Sequence, residues 1–170
     1  MASTRNRRSL KQRDERRAFR RFADVAGLNL KMRSLRSPEE PKPDISCRVD
    51  GVPVFFELTR MRHLGSANAM GRHVSELGRG LQSAPPGVDT YDDRAALKDA
   101  LDRKAKKHYD TGIRPICLLI RIDGVFHPSG MPASWARPIL AAVGPHSRWR
   151  EIWLFDEARN TVIACWRQSE

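Results

Sequence analysis

Two carboxylates on either side of a tight turn are the first place in this 170-residue chain where chemistry is legible. Asp44 and Glu57 bracket a run of β-prone residues interrupted by Asp50-Gly51, the dipeptide of a two-residue hairpin turn. With that turn Val49 pairs with Val52, every cross-strand pair sums to 101, and Asp44 lies opposite Glu57. Counting outward from a hydrogen-bonded 49:52 pair, 44:57 is a non-hydrogen-bonded pair, with Cβ atoms about 4.5–5.5 Å apart on one face. Pro53, opposite Arg48, also falls at a non-hydrogen-bonded site, where its missing N–H costs the ladder nothing. One face of the hairpin is wholly apolar (Ile45, Cys47, Val49, Val52, Val54, Phe56, Leu58) and reads as core. The other carries Asp44, Ser46, Arg48, Pro53, Phe55, Glu57 and Thr59. Like charges directly opposed weaken a sheet. A hard divalent cation held by oxygen ligands and water removes that cost. Arginines neutralising two surface acids would remove it too, and a one-residue register slip would separate the pair.

The elements that must position this hairpin follow from periodicity. Residues 1–8 read as a disordered basic tail and 9–170 as a single domain. Ser9-Leu10-Lys11-Gln12 fits a capping box. Gln12, Glu15, Phe19, Phe22 and Ala26 then form one helical stripe that Gly27 can end. Residues 28–36 read as a short strand. Residues 60–89, with five glycines and Pro85-Pro86, read as a long loop around a broken helix at 66–81. A second capping box, Thr90 to Asp93, opens a helix whose one face holds Leu97, Ala100, Leu101, Lys104 and His108, with Thr111-Gly112 as its stop. The nearly continuous apolar run 115–122 predicts a central strand covered on both faces. A short helix over 134–143 and two closing strands, 151–155 and 161–166, complete an α/β sandwich with a mixed sheet.

Charge is unevenly placed. Residues 1–36 hold 12 Lys/Arg against 3 Asp/Glu, whereas 37–170 hold 19 against 17, so most of the net +11 belongs to the N-terminal segment. Arg13, Arg16, Arg17, Arg20 and Arg21 are the candidate contacts to a polyanion, and nucleic acid is the usual one. No window approaches 18 apolar residues and the basic N-terminus lacks an apolar run, so no membrane partner is expected. Cys47, Cys117 and Cys165 lie far apart in hydrophobic runs, which reads as buried reduced thiols and a cytoplasmic location.

Pro43-Asp44, twelve residues, then Glu57-Leu58-Thr59, followed by a helix and an apolar strand, resembles the active-site hairpin of the PD-(D/E)xK nuclease superfamily. The resemblance covers about residues 9 to 166 and implies a restriction-endonuclease-like three-layer sandwich, a central mixed β-sheet flanked by helices. It also implies metal-dependent hydrolysis of DNA phosphodiester bonds. Asp44 and Glu57 would bind Mg²⁺ or Mn²⁺, joined by the Leu58 carbonyl, with Glu15 as a candidate outer ligand. Glu15 reads first as a half-buried partner for an arginine of its own helix. A homodimer with one site per strand is compatible with the family.

Thr59 departs from the pattern, which expects lysine there to position water and stabilise the transition state. Some members take the lysine from the next helix. Lys104, on the face of Leu97 and Leu101, is the first choice and Lys42, opposite Thr59 in the same register, the second. Without either, the alternative is a catalytically degenerate nuclease fold acting as a nucleic-acid-binding or protein-interaction module. His63, His73 and His108 read as exposed or helix-end histidines, Phe55 as a base contact or a covered residue, and the four tryptophans as core or sheet-face aromatics.

Overall fold

The structure is a computed structural model, and it describes residues 4–39, 41–61, 93–112, 114–122 and 133–169. Helix α1 (Thr4–Val25) leads into the hairpin β1 (Ile45–Val49) and β2 (Val52–Arg60). Helix α2 (Asp93–Ala105), strand β3 (Ile116–Ile122), helix α3 (Ala133–Val143), and the strands β4 (Glu151–Asp156) and β5 (Thr161–Arg167) follow. The five strands lie in chain order in one mixed sheet: β1/β2 and β4/β5 are antiparallel, β2/β3 and β3/β4 parallel. The expected α/β architecture with a central mixed sheet between helices is therefore present.

Two cores, one on each face of the sheet, make the layers. Phe19 and Phe22 of α1 pack on Val54, Phe56, Leu58, Leu119, Trp153 and Phe155. Ala96, Leu97, Ala100 and Leu101 of α2, with Ala136 and Leu140 of α3, pack on Phe55, Leu118, Ile120 and Leu154. Being covered twice, β3 is buried along all seven residues, as its unbroken apolar run predicts.

The hairpin has the predicted register, from Val49↔Val52 to Ile45↔Phe56. Asp50 (φ 51°) and Gly51 (φ 80°) both take the left-handed conformation that a type I′ turn demands. The two faces are less distinct than the alternation implies. Phe55 is buried in the core on the α2 side, with the Arg114 guanidinium 5.7 Å from its ring centre, so it is not a base contact.

Several boundaries differ from expectation. Helix α1 starts at Thr4, so the capping box at Ser9 does not open it; residues 4–8 contain no Gly or Pro, and extending a formed helix is easy. Its end is as expected: Leu28 N–H donates to Ala23 O and Gly27 N–H to Asp24 O, with Gly27 at φ 66°, a Schellman motif. Residues 28–36 form a 3₁₀ turn at Met32–Ser34 and two isolated bridges to β1, Leu30↔Val49 and Arg36↔Ser46, rather than a strand. Helix α2 stops at Ala105, short of His108 and Gly112, where Arg148 donates to the Ala105 carbonyl at 2.7 Å. Cys47 and Cys117 are buried but Cys165, on edge strand β5, is exposed. The readings on 62–92, with His63, His73 and the start of the second capping box, lie outside the described residues.

The aromatic cluster under α1 sets the stability of the hairpin layer. Phe22 has no exposed surface and meets Phe19, Phe56, Trp153 and Phe155 at ring-centre distances of 6.0, 6.1, 5.2 and 5.8 Å. Phe22→Ala is expected to cost about 3–5 kcal/mol, read as a fall in melting temperature of roughly 10 °C by calorimetry.

Candidate active site

The site forms where β2 outruns its partner. Strand β1 begins at Ile45, whereas β2 continues to Arg60, so the β1-side edge of β2 is open beyond Phe56. Phe55 N–H points to β3, donating to Pro115 O, so Leu58 N–H, odd by three residues, points to the open edge. The Asp44 carboxylate takes it: Leu58 N–H donates to Asp44 Oδ2 at 2.9 Å. In return the Asp44 N–H donates to Glu57 Oε2 at 3.3 Å. Asp44 and Glu57 therefore meet as the register predicts, though Asp44 is a cap on the end of the ladder and not a strand residue.

Glu57 has no exposed surface. A carboxylate so placed needs cations and donors around it. Lys104 reaches in from the last turn of α2 with Nζ 2.5 Å from Glu57 Oε1, and Lys107 Nζ lies 3.4 Å from the same oxygen. Lys104 is thus brought to the carboxylate pair, from the helix face that Leu97 and Leu101 mark. The Tyr109 hydroxyl is buried on this side and forms no hydrogen bond. Burial, then the nearby Glu57 charge, pushes its pKa up.

Thr59, 6% exposed, stands beside Ile120 in the ladder and shares the face of Glu57 on the α2 side. Lys42 does not face it, because pairing ends at Ile45; it is exposed and lines a cleft on the α1 side. That cleft encloses about 420 Å³ between Lys11, Glu15, Pro38, Glu39, Lys42 and Asp44. Lys11 Nζ is 3.4 Å from Glu15 Oε1 and 3.8 Å from Asp44 Oδ1. Its partner in the helix is therefore a lysine, where an arginine was expected. Burial, followed by the Asp44 charge, raises the Glu15 carboxyl to about 7.

Arg13, Arg17 and Arg20 are exposed and Arg16 is half-buried. Phe19 and Phe22 fix the buried side of α1, so the arginines lie on its outward side, while the cleft is lined from Lys11 and Glu15. Arg21 is held by the β4–β5 turn, donating to Glu157 O at 2.5 Å and Asn160 Oδ1 at 3.3 Å. Below the cluster, Asp14 joins Arg60 (2.8 Å) and the buried Arg121 (3.1 Å), and Arg121 also pairs with Glu157. Sequence reasoning missed Lys11, Lys107, Tyr109 and Arg121. The i, i+4 spacing of Lys11 and Glu15 was the one signal available.

The donor set suits a hard cation. Glu15, Asp44 and Glu57 offer oxygen ligands; the Glu15 carboxyl is raised first by burial and second by the Asp44 charge, and a cation beside Glu15 and Asp44 would relieve the second. Among the described residues no three His, Cys, Asp or Glu side chains are gathered closely enough to hold an ion alone. Water and backbone oxygen would complete the shell, as is usual for Mg²⁺.

The Glu15 shift has a sign that can be tested. Its folded pKa, about 7, exceeds the ordinary 4.5, so the folded state holds a proton that the unfolded chain releases. Stability from this group is full below about pH 4.5 and is lost as pH rises through 7. In EDTA, Glu15→Gln should leave the melting temperature nearly unchanged at pH 4.5 and raise it at pH 8, by up to about 3 kcal/mol of stability.

Comparison of the chain with family models, with curated proteins and with solved structures finds no match.

Proposed function

We propose that this chain is a metal-dependent endonuclease of the PD-(D/E)xK superfamily, hydrolysing DNA phosphodiester bonds on a restriction-endonuclease-like core. One observation carries the reading: Lys104, from the helix after the hairpin, lies 2.5 Å from Glu57, which is itself bonded to Asp44. A lysine held against Glu57 from α2 supports the reading that the ammonium missing at Thr59 comes from another element.

Asp44 and Glu57 would hold Mg²⁺ or Mn²⁺, with Glu15 at the cleft side. Such an ion, when bound, lowers the pKa of a ligated water and offsets charge growing on the phosphate. The chain's own part is to fix the carboxylates, to hold ammonium groups beside them and to bring the backbone of the nucleic acid near. Asp44 is oriented by Leu58 N–H, and Lys104 by its ion pair. The outward arginines Arg13, Arg16, Arg17 and Arg20 would meet phosphates; Arg21, engaged with the β4–β5 turn, is better placed to hold α1 on the sheet. Among the described residues no helix is long and apolar enough to cross a membrane. A homodimer would give one site to each strand.

A second reading, a catalytically degenerate module that only binds nucleic acid, is favoured by Thr59 in the lysine's strand position and by the complete burial of Glu57. The two readings part on cleavage. Supercoiled and linear DNA are incubated with wild type and Asp44→Asn in Mn²⁺, Mg²⁺ or EDTA. The expected result is metal-dependent nicking that falls by at least about 100-fold in the variant, with DNA affinity retained. Intact DNA under every metal, with binding preserved, selects the degenerate module.

A further inference from the structure

Glu57 has one lysine more than its burial requires. Lys104 and Lys107 share a single oxygen, Oε1, at 2.5 and 3.4 Å. Lys104 is 17% exposed and Lys107 36% exposed. A buried carboxylate left without a cation is strongly unfavourable. Lys104, with the shorter contact and the more enclosed stem, meets that need alone. Lys107 can therefore turn outward without stranding the charge.

The surroundings favour that movement. The Lys107 ammonium lies 5.2 Å from the centre of the Tyr109 ring, and the Arg148 guanidinium 6.0 Å from the same ring. An aromatic face holds a cation near the surface without neutralising it. The Tyr109 hydroxyl is buried beside Glu57, so a donor faces the carboxylate whether or not Lys107 does. Two cations around one ring, next to an anion already satisfied, make a corner that accepts a further anion.

We propose that Lys107 is the residue that binds a phosphate of the nucleic-acid backbone at this site, and that Lys104 is the fixed counter-ion that holds Glu57 in place. The assignment rests on the nuclease reading for the identity of the anion. It gives the two lysines separate duties: one positions a carboxylate, the other touches substrate.

The test uses the full chain and a fluorescent oligonucleotide, titrated in EDTA over a range of NaCl concentrations, so that it does not depend on cleavage. Lys107→Met should keep the wild-type melting temperature, weaken binding by roughly 10-fold and reduce the slope of log K against log[salt] by about one. Lys107→Arg should restore the slope. Lys104→Met should lower the melting temperature, and adding Glu57→Gln to it should recover most of the loss. Unchanged affinity and slope in Lys107→Met, with wild type binding normally, overturn the assignment alone. So does a slope change found in Lys104→Met and not in Lys107→Met. A wild type that fails to bind the oligonucleotide overturns the nuclease reading and the assignment together. A reduced slope in a protein that never cleaves upholds Lys107 and removes only the catalytic reading.

Discussion

Glu57 carries a carboxylate into the middle of a strand that is covered on both faces, and the surrounding structure answers to that burial. Taking such an ion from water costs several kcal/mol even after relaxation. The compensation comes from two places: the amide of Asp44, ahead of β1, and the Lys104 ammonium in the last turn of α2, with Lys107 as a longer second contact. Helix α2 must therefore cross β2 with its C-terminal end over Glu57. Its apolar face, Leu97 to Leu101, sets the crossing, and the Arg148 contact to Ala105 closes the helix where the lysines are needed.

The two sides of β2 are built for different exposure. On the α2 side Glu57 and the Tyr109 hydroxyl are closed off from water, while Lys104 and Lys107 are partly exposed above them. On the α1 side Glu15 and Asp44 open into a cleft with lysines at its edge. The buried Arg121, held between Asp14 of α1 and Glu157 after β4, ties the helix to the sheet just below that cleft. Against a desolvation that would raise it, the Arg121 guanidinium keeps the Asp14 carboxyl below its ordinary range, so this tie stays ionised at neutral pH. A cleft and a closed pocket thus lie on either side of a single strand, and Asp44 meets Glu57 at its open edge.

What could be read in advance was whatever has a short physical period. Asp50-Gly51 specifies both a turn and a register, and a register places residues seven positions away as surely as adjacent ones. The same holds for Lys104, one turn beyond Leu97-Leu101 on a helix whose buried side is unmistakable. Lys107 was not legible, because it lies past the point where α2 stops, and that point is set by Arg148, more than forty residues away. Lys42 was misplaced because pairing was extended through Pro43, which has no N–H and ends the ladder. Phe55 stayed open between a base contact and a covered residue because alternation distinguishes two faces without saying that both are covered. The Lys107 and Phe55 outcomes are tertiary contacts overriding a local pattern, whereas that at Lys42 is set by the local chemistry of proline.

The Asp44 carboxylate divides its work between its two oxygens. Oδ2 is committed to the Leu58 amide, so the side chain's torsional freedom is lost when the hairpin forms, not when a ligand arrives. Anything that coordinates or donates to Oδ1 meets an oxygen whose direction is already set, and preorganisation of this kind favours binding. The reverse is also true. The anchor sits just past the last rung of the β1/β2 ladder, at the open end of the sheet's edge strand, where fraying is easiest. Opening that rung frees the carboxylate to rotate, so ligand occupancy and fraying of the hairpin end oppose each other, and exchange of the Leu58 amide proton reports on both.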